Sequence, residues 1–138
     1  MRFWDSSALV TLVLEHPRSD HARALAIADA EMVVWWGSSI ECASAIARLH
    51  REGQLSATHE RDARATLAEL SGSWYEILPS VSVRDYAMRL LRVHPLRAAD
   101  AMQLAAAAEW SGGSATGAFV TFDERLRDAA SREGFDTP

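Results

Sequence analysis

Met32-Val33-Val34-Trp35-Trp36-Gly37-Ser38-Ser39-Ile40-Glu41 reads as a strand, a turn and a helix start in ten residues. The five apolar residues contain two β-branched valines and show no alternation, so the pattern is a strand buried on both faces. Gly37 breaks the run, and Ser38 or Ser39 is placed to cap a helix. That helix carries Ile40, Ala43, Ala47 and Leu49 as its apolar face and ends at Gly53. A strand buried on both faces needs cover on both, which helices crossing between parallel strands provide.

The same grammar extends in both directions. Arg2–Trp4 is a short strand, and Ser6 or Ser7 can cap a helix to Leu14 that stops near Pro17. A second helix starts at Ser19 or Asp20, with Ala24, Leu25, Ile27 and Ala28 at helical spacing. A helix entered at Ser56 runs to Leu70. Trp74–Leu78 is a strand, broken by Pro79. Ser82–Val93 is helical, with Val83, Ala87, Leu90 and Leu91 on one face, and Pro95 closes it. Ala98–Trp110 is a helix and Ser111–Gly117 a Gly/Ser loop. Ala118–Thr121 is a strand, Glu124–Glu133 a helix, and Gly134-Phe135 the start of a short last strand. Strands alternating with helices predict an α/β fold: a central parallel sheet flanked by helices. In such sheets ligands bind outside the carboxyl ends of the strands.

Four acids fall at these joints. Asp5 and Asp123 directly follow strands. Glu41 lies one turn into a helix, between Ile40 and Cys42-Ala43. Asp100 sits in an alanine-rich helix, where a carboxylate is costly unless partnered. Singly, each has a plain reading as a helix cap, a turn residue or a salt-bridge partner. Together they predict a carboxylate pocket, which requires cations or raised pKa values. Hard oxygen ligands without imidazole or thiolate suit Mg²⁺ or Mn²⁺, and that points toward phosphodiester chemistry. Ser6 and Thr121 are hydroxyls placed to support the carboxylates or to cap helices. Gln103 can orient Asp100 or contact phosphate, or be a satisfied core amide. Arg97 can clamp phosphate or pair with Asp100 or Glu41.

Composition excludes several classes. The net charge is −5, and all fourteen cationic residues are arginine. Without lysine there is no Walker-type nucleotide site and no Schiff base. The acidic balance argues against nucleic-acid binding by bulk charge. The lone Cys42 makes no internal disulfide and fits a reducing compartment. Residues 1–15 lack signal-peptide features and no membrane segment is evident, so a cytoplasmic location is expected. The five histidines have no zinc spacing. No nucleophile elbow or phosphate loop occurs. Trp35-Trp36 reads as one core and one rim residue, with base stacking by Trp36 the alternative.

Four stretches carry a family resemblance. Phe3-Trp4-Asp5-Ser6-Ser7-Ala8-Leu9, Ser39-Ile40-Glu41-Cys42-Ala43-Ser44-Ala45, His94-Pro95-Leu96-Arg97-Ala98-Ala99-Asp100-Ala101-Met102-Gln103-Leu104-Ala105 and Phe119-Val120-Thr121-Phe122-Asp123-Glu124-Arg125-Leu126 occur in order. They resemble the motifs of PIN-domain ribonucleases, specifically the VapC toxins of type II toxin–antitoxin pairs. The resemblance implies a PIN-like three-layer fold with residues 1–138 as one domain. It implies Mg²⁺ or Mn²⁺ on Asp5, Asp100 and Asp123, with Glu41 helping to hold metal or water. It further implies metal-assisted hydrolysis of RNA, a VapB-like antitoxin that inserts a segment into the active-site groove, and a homodimer. The chain departs from the pattern in lacking lysine, so a basic rim must be arginine. The rival readings are a PIN-fold binding module without catalysis and a metal-dependent DNA nuclease. A haloacid-dehalogenase-like phosphatase fits poorly, because Ser6-Ser7 follow Asp5 and the required lysine is missing.

Overall fold

A computed structural model describes residues 1–138. Four strands, β1 (Arg2–Trp4), β2 (Met32–Trp35), β3 (Tyr75–Ile77) and β4 (Phe119–Val120), form one parallel sheet in the order β3-β2-β1-β4. Seven helices connect and follow them: α1 (Ser6–Val13), α2 (Ser19–Ala28), α3 (Ser38–Arg51), α4 (Ala57–Ser71), α5 (Val81–Val93), α6 (Ala98–Trp110) and α7 (Glu124–Glu133).

Strand alternation sorts the core into two layers. Phe3, Val33, Trp35 and Phe119 point to one face and pack with α5, α6 and α7 through Val83, Leu90, Leu104 and Leu126. Trp4, Met32, Val34 and Val120 point to the other and pack with α1 to α4 through Leu9, Ala22, Ile46 and Leu67. The expected three layers are therefore present, and every residue of β2 is buried as its sequence requires. On α6 the alanines from Ala105 through Ala108 are all buried, and their small side chains let α5 pack close against the helix.

Several expected details differ. Asp5, not Ser6 or Ser7, caps α1, because its carboxylate accepts from the Ser7 and Ala8 amides. No side chain caps α3, which starts from Gly37, since the Ser38 hydroxyl turns inward to Gln103. The buried side of α3 runs through Ser38, Cys42 and Ile46, and Ile40 is exposed. On α2 the buried apolar residue is Ala22, and Ile27 faces solvent; Leu91 of α5 is likewise exposed. In each case the face is set by which neighbouring layer the helix meets, and apolar spacing alone admits two adjacent faces. The expected last strand shrinks to a single parallel bridge between Ala118 and Asp136. Gly134, at φ 114°, ends α7 in the left-handed region that suits glycine and turns the chain back toward β4.

Strand order fixes where the site opens. From β1 the chain steps outward to β2 and β3, then returns to the other side of β1 as β4. Helix α1 leaves β1 toward one layer, while α7 follows β4 into the opposite layer. Such a reversal leaves a crevice at the carboxyl ends of β1 and β4.

Candidate active site

Asp5 stands at that crevice, directly after β1, and is only 2% exposed. Its Oδ1 accepts from the Ser7 amide and, at 3.4 Å, from the Ala8 amide. Its Oδ2 accepts from the Thr121 hydroxyl at 2.6 Å and from the Ser7 hydroxyl at 3.1 Å. Burial nevertheless dominates: it raises the Asp5 pKa to about 6, against the lowering effect of these hydrogen bonds.

Thr121 carries the network to the second acid. The Asp123 amide donates to the Thr121 hydroxyl at 3.1 Å, and Asp123 Oδ1 caps α7 by accepting from the Leu126 amide at 2.9 Å. Ser7 completes the tie, its hydroxyl accepting from the Phe122 amide at 2.9 Å. Arg127 donates to the Thr121 carbonyl at 3.0 Å.

On the other side, Ser6 donates to Glu41 Oε2 at 2.7 Å, and Gln103 Nε2 donates to Glu41 Oε1 at 3.1 Å. The Ser38 hydroxyl donates to Gln103 Oε1 at 3.3 Å. Burial raises the Glu41 pKa, the Ser6 and Gln103 hydrogen bonds offset part of this, and the neighbouring Asp100 charge adds to it. Asp100 lies in the first turn of α6, where its Oδ2 accepts from the Arg97 amide at 3.1 Å. The Arg97 side chain is exposed and makes no ion pair, so of its two sequence readings the structure does not form the pairing with Asp100 or Glu41.

Asp5, Thr121 and Asp123 are thus linked by hydrogen bonds, Glu41, Ser6 and Gln103 form a second group, and Asp100 reaches that group through its field. No ion pair involves any of the four acids. No three of them close around one point at metal-binding distance. Asp5, Glu41, Asp100 and Asp123 each take hydrogen-bond donors from their own surroundings. In donor chemistry the set fits a hard divalent cation. The four acids offer oxygen ligands only, and the neighbouring Cys42 thiol is pushed up to about 12 by burial and by the Glu41 and Asp5 charges. Asp100 and Asp123 each keep one carboxylate oxygen free of protein partners.

Sequence reasoning singles out Ser6 and Thr121 for the site but reads Ser7 only as a cap candidate, whereas it touches Asp5, Thr121 and the Phe122 amide. Its signal is the Asp-x-Ser spacing, which lets a capping aspartate hold the serine two residues on. Ser38 reads only as a cap in the sequence, and Arg127 carries no local signal.

The PIN domain family matches residues 2–131. The chain belongs to the PIN-domain family. PIN domains are typically metal-dependent nucleases, and the four acids that no cationic side chain pairs come from the four stretches that carry the PIN resemblance. Two solved structures share its fold. PAE2754 from Pyrobaculum aerophilum is 21% identical with a TM-score of 0.66, covering 93% of this chain and 83% of that one. FitAcB from Neisseria gonorrhoeae is 15% identical with a TM-score of 0.69, covering 99% and 96%. No curated protein matches this PIN domain by sequence. No helix is long and apolar enough to cross a membrane.

Proposed function

We propose that this chain is an endoribonuclease of the VapC toxin type, hydrolysing RNA phosphodiesters with Mg²⁺ or Mn²⁺. The supporting observation is the set of carboxylates at the carboxyl edge of the sheet that no arginine neutralises. Asp5, Asp100 and Asp123 would hold the ion, the last two through their unengaged oxygens. When bound, the ion supplies Lewis-acid activation of water and of the phosphoryl group.

The remaining work belongs to the chain. Ser7 and Thr121 fix the Asp5 carboxylate so that it cannot turn away from the crevice. Glu41, held at both oxygens by Ser6 and Gln103 and raised in pKa, is positioned to take the proton of the attacking water. Arg97, exposed and unpaired, is the phosphate clamp, its planar fork suiting bidentate contact. The motif resemblance adds a VapB-like antitoxin whose segment fills the groove, a homodimer, a single PIN domain over residues 1–138, and a cytoplasmic setting.

The test is cleavage of total RNA by the purified protein, with Mg²⁺ or Mn²⁺ and again in excess chelator. RNA fragments that appear only with metal support the reading. Unchanged turnover in chelator removes the metal mechanism. Cleavage of single-stranded DNA but not RNA assigns a DNA nuclease, and metal binding without cleavage of either assigns a binding module.

A further inference from the structure

We propose that Trp36 is a stacking platform for an unpaired base of the RNA that crosses the carboxylate edge. The inference rests on the nuclease reading and assigns Trp36 to the holding of its RNA.

Trp35 and Trp36 are adjacent in sequence but opposite in fate. Trp35 is 7% exposed and belongs to the core, whereas Trp36 is 46% exposed at the carboxyl end of β2. That is the end of the sheet where Asp5 and Asp123 follow their strands. Two residues on, Ser38 contacts Gln103, which holds Glu41. Trp36 is therefore on the rim of the site, not on a remote face.

The platform is also rigid. The Trp36 amide donates to the Ile77 carbonyl at 3.1 Å, which extends the β2–β3 pairing by one residue. Its ring meets the buried Trp35 ring edge-on, with centroids 6.4 Å apart and planes at 74°. Gly37 preserves this arrangement, because a Cβ there would lie 2.6 Å from Trp35 Nε1. Ile40, one helical turn later in sequence, is a second exposed apolar residue at 61%.

The acidic balance decides how RNA would have to be held. With nineteen acids against fourteen arginines, the chain cannot hold a polyanion by counterion release alone. Affinity must come from contacts that do not depend on charge, and base stacking on an aromatic ring is such a contact, tolerant of sequence. A duplex hides its base faces and is a poor match for this ring.

The test measures binding of a fluorescein-labelled single-stranded RNA oligonucleotide and of the same sequence as a duplex. The full chain is used, with Ca²⁺ replacing Mg²⁺, as wild type, Trp36→Ala and Trp36→Phe. Trp36→Ala should bind the single strand about tenfold to a hundredfold more weakly, and Trp36→Phe should retain most of the affinity. Duplex binding should not change. Equal single-strand affinities of wild type and Trp36→Ala, with matching circular dichroism, overturn the proposal. So does a Trp36→Ala variant that loses a dimer in sedimentation while its RNA affinity per chain is kept, which gives the face to a second copy. Trp36-dependent binding without any cleavage by wild type keeps the platform and removes the nuclease reading. Absence of all RNA binding removes both.

Discussion

The Thr121 hydroxyl donates to the Asp5 carboxylate at 2.6 Å, joining residues 116 positions apart across the crevice where strand order reverses. The same oxygen accepts from the Asp123 amide at 3.1 Å. One side chain therefore holds the ends of β1 and β4 in register and orients two of the four acids.

Thr121→Val keeps the shape but removes the donor and the acceptor together. A buried carboxylate then lacks its shortest hydroxyl contact, and the Asp123 amide loses its partner. The expected cost is about 1–3 kcal/mol in urea unfolding, with most of it recovered in Thr121→Ser. Equal midpoints for wild type and Thr121→Val would show that the hydroxyl does not hold the crevice.

Asp100→Asn separates chemistry from stability. The carboxylate makes one protein contact, to the Arg97 amide, and an asparagine oxygen can replace it there. Unfolding free energy should stay within about 0.5 kcal/mol of wild type. RNA cleavage should fall about a hundredfold or more, at least as far as for loss of a supporting partner. A variant that cleaves normally with Mn²⁺ bound would remove Asp100 from the metal site.

The strands and the acids that follow them were legible because apolar runs and their breaks are local signals. Asp5 and Asp123 were placed on one edge by the strand-end rule alone. Helix faces were less legible: Ile40 and Cys42 both fit an apolar stripe on α3, and only the position of α1 and α4 decides that Cys42 is inside. The reversal of strand order between β1 and β4 has no local signature, since it depends on Phe3 pairing with Phe119 rather than on either segment. The role of Ser7 beyond a cap stayed hidden for the same reason, as its partners Thr121 and Phe122 come from the far end of the chain.

Glu133 tests the opposite end of α7. It accepts from Tyr86 at 3.0 Å, lies 2.7 Å from His94 Nε2, and pairs with Arg89 at 2.9 Å. Burial would raise its pKa, but these three partners outweigh it and the net shift is downward. Its contribution is therefore full above the ordinary value of 4.5 and is lost as pH falls through the lower folded value. Glu133→Gln should cost about 2 kcal/mol at pH 7, and the gap to wild type should close in acid. The stabilisation of the variant by Mn²⁺ should equal that of wild type, because none of Glu133, Tyr86, Arg89 and His94 bonds to any of the four acids. A gap that does not change with pH would show that the Glu133 charge is not what holds α5 to α7.

Asp5 gives the reverse dependence. Its pKa rises from 3.8 in the ordinary state to about 6 in the fold. Between those values the folded protein binds more protons than the unfolded chain, so metal-free stability falls as pH rises from about 4 to 6 and is level above that. The full shift corresponds to about 3 kcal/mol, and Asp5→Asn should abolish this part of the slope. A divalent cation reverses the preference, because it binds the ionised carboxylate. Mn²⁺ should therefore raise the unfolding midpoint more at pH 7.5 than at pH 5, and the rise should vanish in Asp5→Asn. Unfolding curves at a series of pH values, with chelator and with Mn²⁺, measure both effects. A metal-free stability that climbs between pH 4 and 6 equally in wild type and Asp5→Asn would show that Asp5 is ionised in the fold without a cation, and that burial does not govern its charge.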